Sequence, residues 1–315
     1  MATIKDIAAR SGVSIATVSK HINGIPVREQ NRIRIDAAIA ELGYQVNIAA
    51  RTLKTRRSMT VGILLDSLSN LFYTSVISEA EELLQQKGYT TILCETKDSP
   101  ERALRGVELL SSKAADGILY FSSRCSREVI SRCADLSIPV TVVDSITPEA
   151  STVCDFVVTE NALGAFSAVE YLQKMGHRGI AVITGSEAHF SANERLRGYQ
   201  NALRQAGLPI REEWILRDEY NIDGGYRCVR RLLELPVQPT ALLVCNYFMT
   251  VGAIMALNEA NVQIPQQLSV ISFDEIELVK AVKPRLTTVN QQTALIAEEA
   301  VKCIISGISG ASQPQ

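Results

Sequence analysis

The residues best placed to do chemistry in this 315-residue sequence are polar and aromatic side chains that follow short apolar runs. They are Asp66, Phe72, Tyr73, Ser122, Asp144, Glu160, Arg195, Asn246, Tyr247 and Asp274. In open α/β sheets ligands bind beyond the carboxyl ends of the strands, so these positions converge on one region if the runs are parallel strands. Catalysis asks for more. The sequence holds no G-x-x-x-x-G-K-[ST], G-x-G-x-x-G, H-E-x-x-H or G-x-S-x-G. Its three histidines, His21, His177 and His189, are too scattered for a triad or a His-rich metal site. Asp66 with Asp144 is the carboxylate pair that could be imagined for acid–base work, and no motif surrounds it. The chain reads as a binder, not an enzyme, with neither metal nor cofactor.

The elements that must position these residues are legible as apolar periodicity. V-G-I-L-L-D (61–66), T-T-I-L-C-E (90–95), G-I-L-Y-F (117–121) and P-V-T-V-V-D (139–144) alternate with helical patterns. A second series follows with G-I-A-V-I-T-G (179–185), T-A-L-L-V-C (240–245) and L-S-V-I-S-F-D (268–274). Near-continuous apolar strands joined by amphipathic helices predict parallel sheets covered on both faces, and two series predict two lobes. The most apolar window, 241–257, is broken by Asn246, Tyr247 and Thr250 and is shorter than the ~20 residues of a membrane span. It reads as a buried strand followed by a helix. The first 20 residues carry Lys5, Asp6 and Arg10 and no apolar export segment, which points to the cytoplasm. Seven cysteines without a C-x-x-C pair fit reduced thiols there.

Charge divides unevenly along the chain. The first 57 residues hold ten basic and four acidic residues, a balance of +6, which leaves 22 basic and 30 acidic residues, or −8, for the rest. A small basic head on an acidic body is the pattern expected when one part meets a polyanion. The head has matching local signals. Thr3 to Asp6 has the form of an N-cap with an acidic third position, and Ile4, Ile7 and Ala8 have helical apolar spacing. Gly12 ends that helix, and Ser14 caps a second in which Val18 and Ile22 face inward while Ile15, Ala16, Thr17, Lys20 and His21 face out. A third helix, about Glu29 to Leu42, is expected to bury Ile33, Ala37 and Leu42 and to stop at Gly43. Glycine in a short turn between two helices is the mark of a helix-turn-helix, whose second helix enters the major groove of DNA.

T-I-K-D-I-A-A-R-S-G-V-S-I-A-T-V-S-K-H-I-N-G (3–24), then A-A-I-A-E-L-G-Y (37–44) and N-I-A-A-R-T-L-K (47–54), resembles the lactose-repressor (LacI/GalR) family of bacterial transcription regulators over the whole head. The resemblance implies that Ile15, Ala16 and Lys20 read bases while Thr3, Ser14, Thr17, Ser19 and Asn23 bind phosphates. Short hydroxyls at a helix N-terminus suit phosphate oxygens, and a longer donor four residues past Ala16 reaches a purine edge. Lys20 stands where Arg is frequent, so a single-point ammonium replaces a bidentate fork. Residues 46–57 resemble the family's hinge helix, in which Leu53 would wedge into the minor groove, Ala50 would allow two hinges to pack closely, and Asn47 and Lys54 would contact DNA. Val46 replaces the proline usual before the Asn.

The body resembles the periplasmic-binding-protein-like core of the same family. The matching segments are S-N-L-F-Y (69–73), G-H-R (176–178), R-L-R-G-Y (195–199), V-C-N (244–246), S-V-I-S-F-D (269–274) and L-T-T-V (286–289). The resemblance implies an N-terminal all-α head at 1–57 and an effector-binding and dimerisation body at 58–315. Its first lobe would span about 58–159 and 290–315, and its second about 160–289. Arg195, Asn246 and Asp274 would hydrogen-bond the effector, Phe72, Tyr73 and Tyr220 would wall the pocket, and Ser122 would join them. An Arg fork, an amide and a carboxylate between aromatic faces suit vicinal sugar hydroxyls. Tyr247 stands where the family usually has Asp, and the closing strands of that core would lie beyond Gln315. The expected partners are a pseudopalindromic double-stranded DNA operator, a carbohydrate effector and a second copy of the chain, with no membrane. The expected function is that of a transcription regulator, a repressor by this reading. The competing class is a carbohydrate-binding or transport-type protein without a DNA role, which would not begin with a basic helix-turn-helix.

Overall fold

The computed structural model describes residues 2–22, 25–44, 57–147, 153–275, 283 and 285–310. The chain divides into two compact units, Met1–Ser58 and Met59–Gln315.

In the head, helix α1 (Ile4–Ser11) starts at a complete capping box. The Thr3 side chain accepts from the Asp6 amide, and Asp6 accepts in return from the Thr3 amide at 2.8 Å. Gly12 ends α1 in the left-handed region at φ 65°, where a Cβ would be strained. The turn leads into α2 (Ile15–Ile22), and α3 (Glu29–Leu42) ends at Gly43. Ile7, Ala8, Val13, Val18, Ile35 and Ala38 form the buried core, with Ile22 and Leu42 packed against it. The expected face of α3 is therefore corrected. Ile33 is 57% exposed and Ala37 is exposed, whereas Ile35 and Ala38 are buried. Apolar residues on several sides of α3 make its own periodicity ambiguous, and docking against α1 and α2 selects the face. His21 is also not fully outward, because its ring pairs with Asp36 at 2.6 Å.

Among the described residues the body contains two five-stranded parallel sheets. The first is built from β1 (Thr60–Leu65), β2 (Thr90–Glu95), β3 (Gly117–Phe121), β4 (Val140–Val143) and β5 (Asp155–Val157), in the order β2-β1-β3-β4-β5. Its helices are α4 (Leu71–Gln86), α5 (Pro100–Ser112) and α6 (Arg127–Asp135). Alternation along β1 decides the layers. Ile63 and Leu65 pack with Tyr73 and Val76 of α4, while Leu64 packs with Val107 and Leu110 of α5. The second sheet is built from β6 (Ile180–Thr184), β7 (Ile215–Arg217), β8 (Ala241–Val244), β9 (Ser269–Phe273) and β10 (Thr287–Val289), in the order β10-β9-β8-β6-β7. Helices α7 (Asn161–Lys174) and α8 (Phe190–Gln205) cover one face; α9 (Ile222–Leu233) and α10 (Tyr247–Glu259) cover the other. The last helix, α11 (Thr293–Ser309), returns to the first sheet, where Ile296, Ala300 and Ile304 pack beneath Val61, Ile63 and Leu119.

All seven anticipated strands form, and the window at 241–257 is β8 followed by α10. The strands without a sequence signal are β5, β7 and β10, each three residues long and each at a sheet edge. Three residues are too few to show a period. Of the seven cysteines, Cys133, Cys154, Cys228 and Cys245 are buried, and all seven are free thiols. Among the described residues no helix is long and apolar enough to cross a membrane. Nor does any cluster of three or more His, Cys, Asp or Glu form that could hold a metal ion.

Candidate functional site

The carboxyl ends of both sheets face one cleft that encloses about 200 Å³. Its walls come from loops that begin helices, and three asparagines shape them. Asn70 caps α4, accepting from the amides of Phe72 (3.1 Å) and Tyr73 (3.3 Å), and so holds both aromatics in the first turn at the cleft. Asn221 caps α9 and Asn246 caps α10, the latter accepting from the Met249 amide at 3.3 Å. The cap occupies Asn246 Oδ1 and leaves its NH₂ to serve the cleft as a donor. A larger groove of about 480 Å³ beside Leu163, Phe273 and Leu295 is mostly apolar and lacks this convergence of polar groups.

Arg195 is the buried cation of the cleft. Its Nε donates to Asn161 Oδ1 at 2.8 Å, an Nη1 donates to the Cys245 carbonyl, and the guanidinium lies 4.1 Å from the centre of the Phe273 ring. Three buried or half-buried carboxylates share the space and have distinct roles. Asp66 accepts from the Ser123 amide (3.0 Å) and the Thr96 hydroxyl (3.2 Å), tying the loops after β1, β2 and β3 together. Burial pushes its carboxyl up to about 6 against those hydrogen bonds. Asp274 accepts from Gln291 Nε2 at 2.6 Å. Asp144 accepts from the Tyr73 hydroxyl at 3.0 Å through one oxygen, while its Oδ1 is buried without a partner. Burial raises the Asp144 carboxyl to about 7, and the nearby Arg195 charge and the Tyr73 hydrogen bond only partly oppose this. The Tyr220 hydroxyl is likewise buried without a partner. Gly185 permits that ring's approach, because a Cβ there would lie 2.7 Å from it. Buried polar groups are satisfied as a rule, so two such atoms in residues lining one cavity mark where a ligand's hydroxyls would bind.

The cleft thus brings together Phe72, Tyr73, Arg195, Tyr220, Asn246 and Asp274. Ser122 does not belong with them. Its side chain is buried behind the loop, where Oγ accepts from the Arg124 amide at 3.2 Å, and the next residue, Ser123, lines the cavity instead. The backbone bends at Ser123 and Arg124 just past β3, so neighbouring side chains there lie on different sides. Asn161, His189 and Gln291 had no sequence signal. Each acts through partners that lie 17 to 65 residues away.

In the head, α2 presents Ser14, Ile15, Ala16 and Lys20 to solvent, with Ile15 50% exposed and Thr17 and Ser19 half-buried. Ser14 Oγ receives the Thr17 amide at 3.2 Å and lies 2.9 Å from the Thr17 hydroxyl, so both hydroxyls sit together at the N-terminus of α2. Thr3 is engaged in the capping box with Asp6 at 2.8 Å. An apolar Ile15 held in water, beside two hydroxyls and an ammonium, suits a groove with base edges and phosphates. Asn23, Asn47, Ala50, Leu53 and Lys54 lie outside the described residues.

Comparison with known proteins agrees with both units. Residues 3–47 match the family described as bacterial regulatory proteins, lacI family, and residues 169–315 match a periplasmic binding protein-like domain. The ribose operon repressor of Escherichia coli (strain K12) is 34% identical over 313 residues, 98% of this chain and 94% of that protein. The HTH-type transcriptional repressor PurR of Haemophilus influenzae (strain PittEE) is 32% identical, covering 98% of this chain and 92% of that protein. Among solved structures, a transcriptional regulator CelR–cellobiose complex superposes with a TM-score of 0.76 at 26% identity, covering 100% of this chain and 95% of that one.

Proposed function

This chain belongs to the lacI family of bacterial regulatory proteins, and from that premise we propose how it works: a sugar bound between its two lobes controls how tightly its helix-turn-helix heads hold an operator. It is a DNA-binding transcription regulator, a repressor as its relatives are, and not an enzyme. The observation that carries the reading is the cleft's pair of buried, unsatisfied polar atoms, Asp144 Oδ1 and the Tyr220 hydroxyl, set around the Arg195 guanidinium. A ligand rich in hydroxyls satisfies both, which supports a carbohydrate effector.

Two copies related by a two-fold axis would place two α2 helices on the half-sites of a pseudopalindrome. Ile15, Ala16 and Lys20 would read bases, while Thr3, Ser14, Thr17, Ser19 and Asn23 would hold phosphates. Asn47, Ala50, Leu53 and Lys54 would form the minor-groove hinge. The effector acts through its preference for one lobe arrangement, which changes the spacing of the two hinges and so the affinity for operator. We place this activity in the cytoplasm.

Fluorescence anisotropy of a selected duplex with the full chain, with and without sugars, phosphosugars and nucleobases first screened by thermal shift, tests the reading. The expected result is a salt-sensitive, sequence-selective complex whose affinity one sugar changes. Binding to no duplex, or a change produced only by a nucleobase, would overturn the DNA or the sugar part respectively.

A further inference from the structure

The two lobes are also joined at the mouth of the cleft by a single side chain. Arg124 follows β3 in the first lobe and reaches three groups of the second. Its Nε donates to His189 Nε2 at 3.0 Å, and one Nη2 donates to Ser186 Oγ at 3.3 Å and to Glu219 Oε2 at 2.7 Å. Its Nη1 is held from its own lobe by Asp98 at 3.3 Å. A backbone hydrogen bond from Phe190 to the Ser123 carbonyl crosses at the same place. Asp98, His189 and Glu219 all line the cavity, so Arg124 ties three of its walls together.

The geometry fixes the state of the imidazole. Arginine has donors only, so Nε2 must be the bare nitrogen and Nδ1 must carry the proton. Nδ1 lies 3.2 Å from Ser186 Oγ, which accepts from both it and Arg124. His189 is 4% exposed and stacks on Tyr220, their ring centres 4.7 Å apart. A second proton on the ring would set an N–H against the Arg124 N–H and two positive charges face to face.

We propose that Arg124 is a positioning residue that holds the two lobes together at the cleft mouth, and that it does so only while His189 is neutral. The groups facing His189 are Arg124 after β3, Asp98 after β2, Ser186 after β6 and Glu219 and Tyr220 after β7. Burial and then the Arg124 charge push the imidazole below its ordinary value, and Glu219 and Asp98 oppose them. Both carboxylates already hold the guanidinium. The contact is therefore intact at neutral pH and is lost only below the ordinary imidazole range, as the ring takes its second proton. Cleft closure, and with it the fit around a bound effector, then depends on a residue that need not touch the effector.

The experiment measures lobe separation in the full chain without DNA or sugar, so its failure leaves the regulatory reading intact. Spin labels are carried on p-acetylphenylalanine introduced at Ser131 of α6 and Arg230 of α9, both exposed, which spares the native cysteines. Distances are read by double electron–electron resonance at about pH 7.5 and about pH 4.5, the lower point set well under the ordinary imidazole value of about 6.5 because the folded ring titrates beneath it. Wild type is expected to lengthen at the lower pH. Arg124→Met should be long at both, and His189→Gln, whose carbonyl still accepts from Arg124 but cannot titrate, should be short at both. NMR of the three histidines should show the His189 value rising toward about 6.5 in Arg124→Met. A wild-type distance in Arg124→Met at neutral pH overturns the latch. Lengthening of His189→Gln in acid, or none in wild type, overturns the role of the imidazole. If Arg124→Met fails to fold, wild type and His189→Gln still decide.

Discussion

Asp144 and Asp274 end equivalent strands of the two lobes. Both have a left-handed backbone, at φ 75° and 71°, and each amide donates at 3.0 Å to a valine carbonyl of the next strand, Val157 and Val289. The sheets obey the same rule, since β2-β1-β3-β4-β5 and β7-β6-β8-β9-β10 have one topology. The side chains differ. Gln291 satisfies Asp274, whereas Asp144 keeps one buried oxygen without a partner. Both carboxyl groups line the cleft, one oxygen of Asp274 tied to Gln291 and one of Asp144 left open to a ligand.

That difference predicts a pH-dependent stability. Asp144 binds its proton up to about 7 in the folded protein and only to about 3.8 when unfolded. The folded state therefore holds the extra proton, and stability falls as pH rises from about 4 to about 7. Asp144→Asn removes this loss. Urea unfolding should show the variant gaining on wild type by a few kcal/mol across that window, at about 1.4 kcal/mol per pH unit, with no further gain above it. Parallel profiles would show that Asp144 is not held protonated.

Asp274→Asn should reduce effector affinity at least tenfold, in line with the ~1.5–3 kcal/mol of a hydrogen bond to a charged group. Its operator binding without effector should persist. Calorimetry and anisotropy on the same preparation separate the two effects.

Arg195→Ala should behave differently, because the residue is 3% exposed and lies among Asp144 and Asp274. Removing the cation leaves buried charge uncompensated and should cost about 3–5 kcal/mol of folding stability. Thermal unfolding that matches wild type would mean the guanidinium serves only the ligand.

Residues 59–315 form their own compact unit, and the +6 charge lies in the head. The isolated body should fold, bind effector and show no affinity for duplex DNA in a gel-shift assay. The intact chain's affinity should fall by orders of magnitude between low and physiological salt.

Gly252→Ala should destabilise the body by about 3 kcal/mol or more, the upper range for overpacking. Helices α9 and α10 touch backbone to backbone there, and a Cβ on Gly252 would sit 1.9 Å from the Ile222 carbonyl oxygen. Chemical denaturation of the body measures it.

The sequence by itself determined the local elements. Thr3 with Asp6, Gly12 and Gly43 delimit the head helices through caps that act within a few residues. Of the seven longer apolar runs, six form strands buried nearly throughout, and β2 forms at a sheet edge with Leu93 44% exposed. Tertiary structure decided what depends on distant partners. The inward face of α3 passed to Ile35 and Ala38 because α1 and α2 dock there. Three-residue strands exist because a longer neighbour offers its edge. Ser123 entered the cleft in place of Ser122, and Arg124 met His189 across 65 residues, because the two sheets bring their carboxyl ends to one cleft. Periodicity and capping are short-range energies written along the chain, whereas the cleft's hydrogen bonds depend on which loops the packed sheets bring face to face.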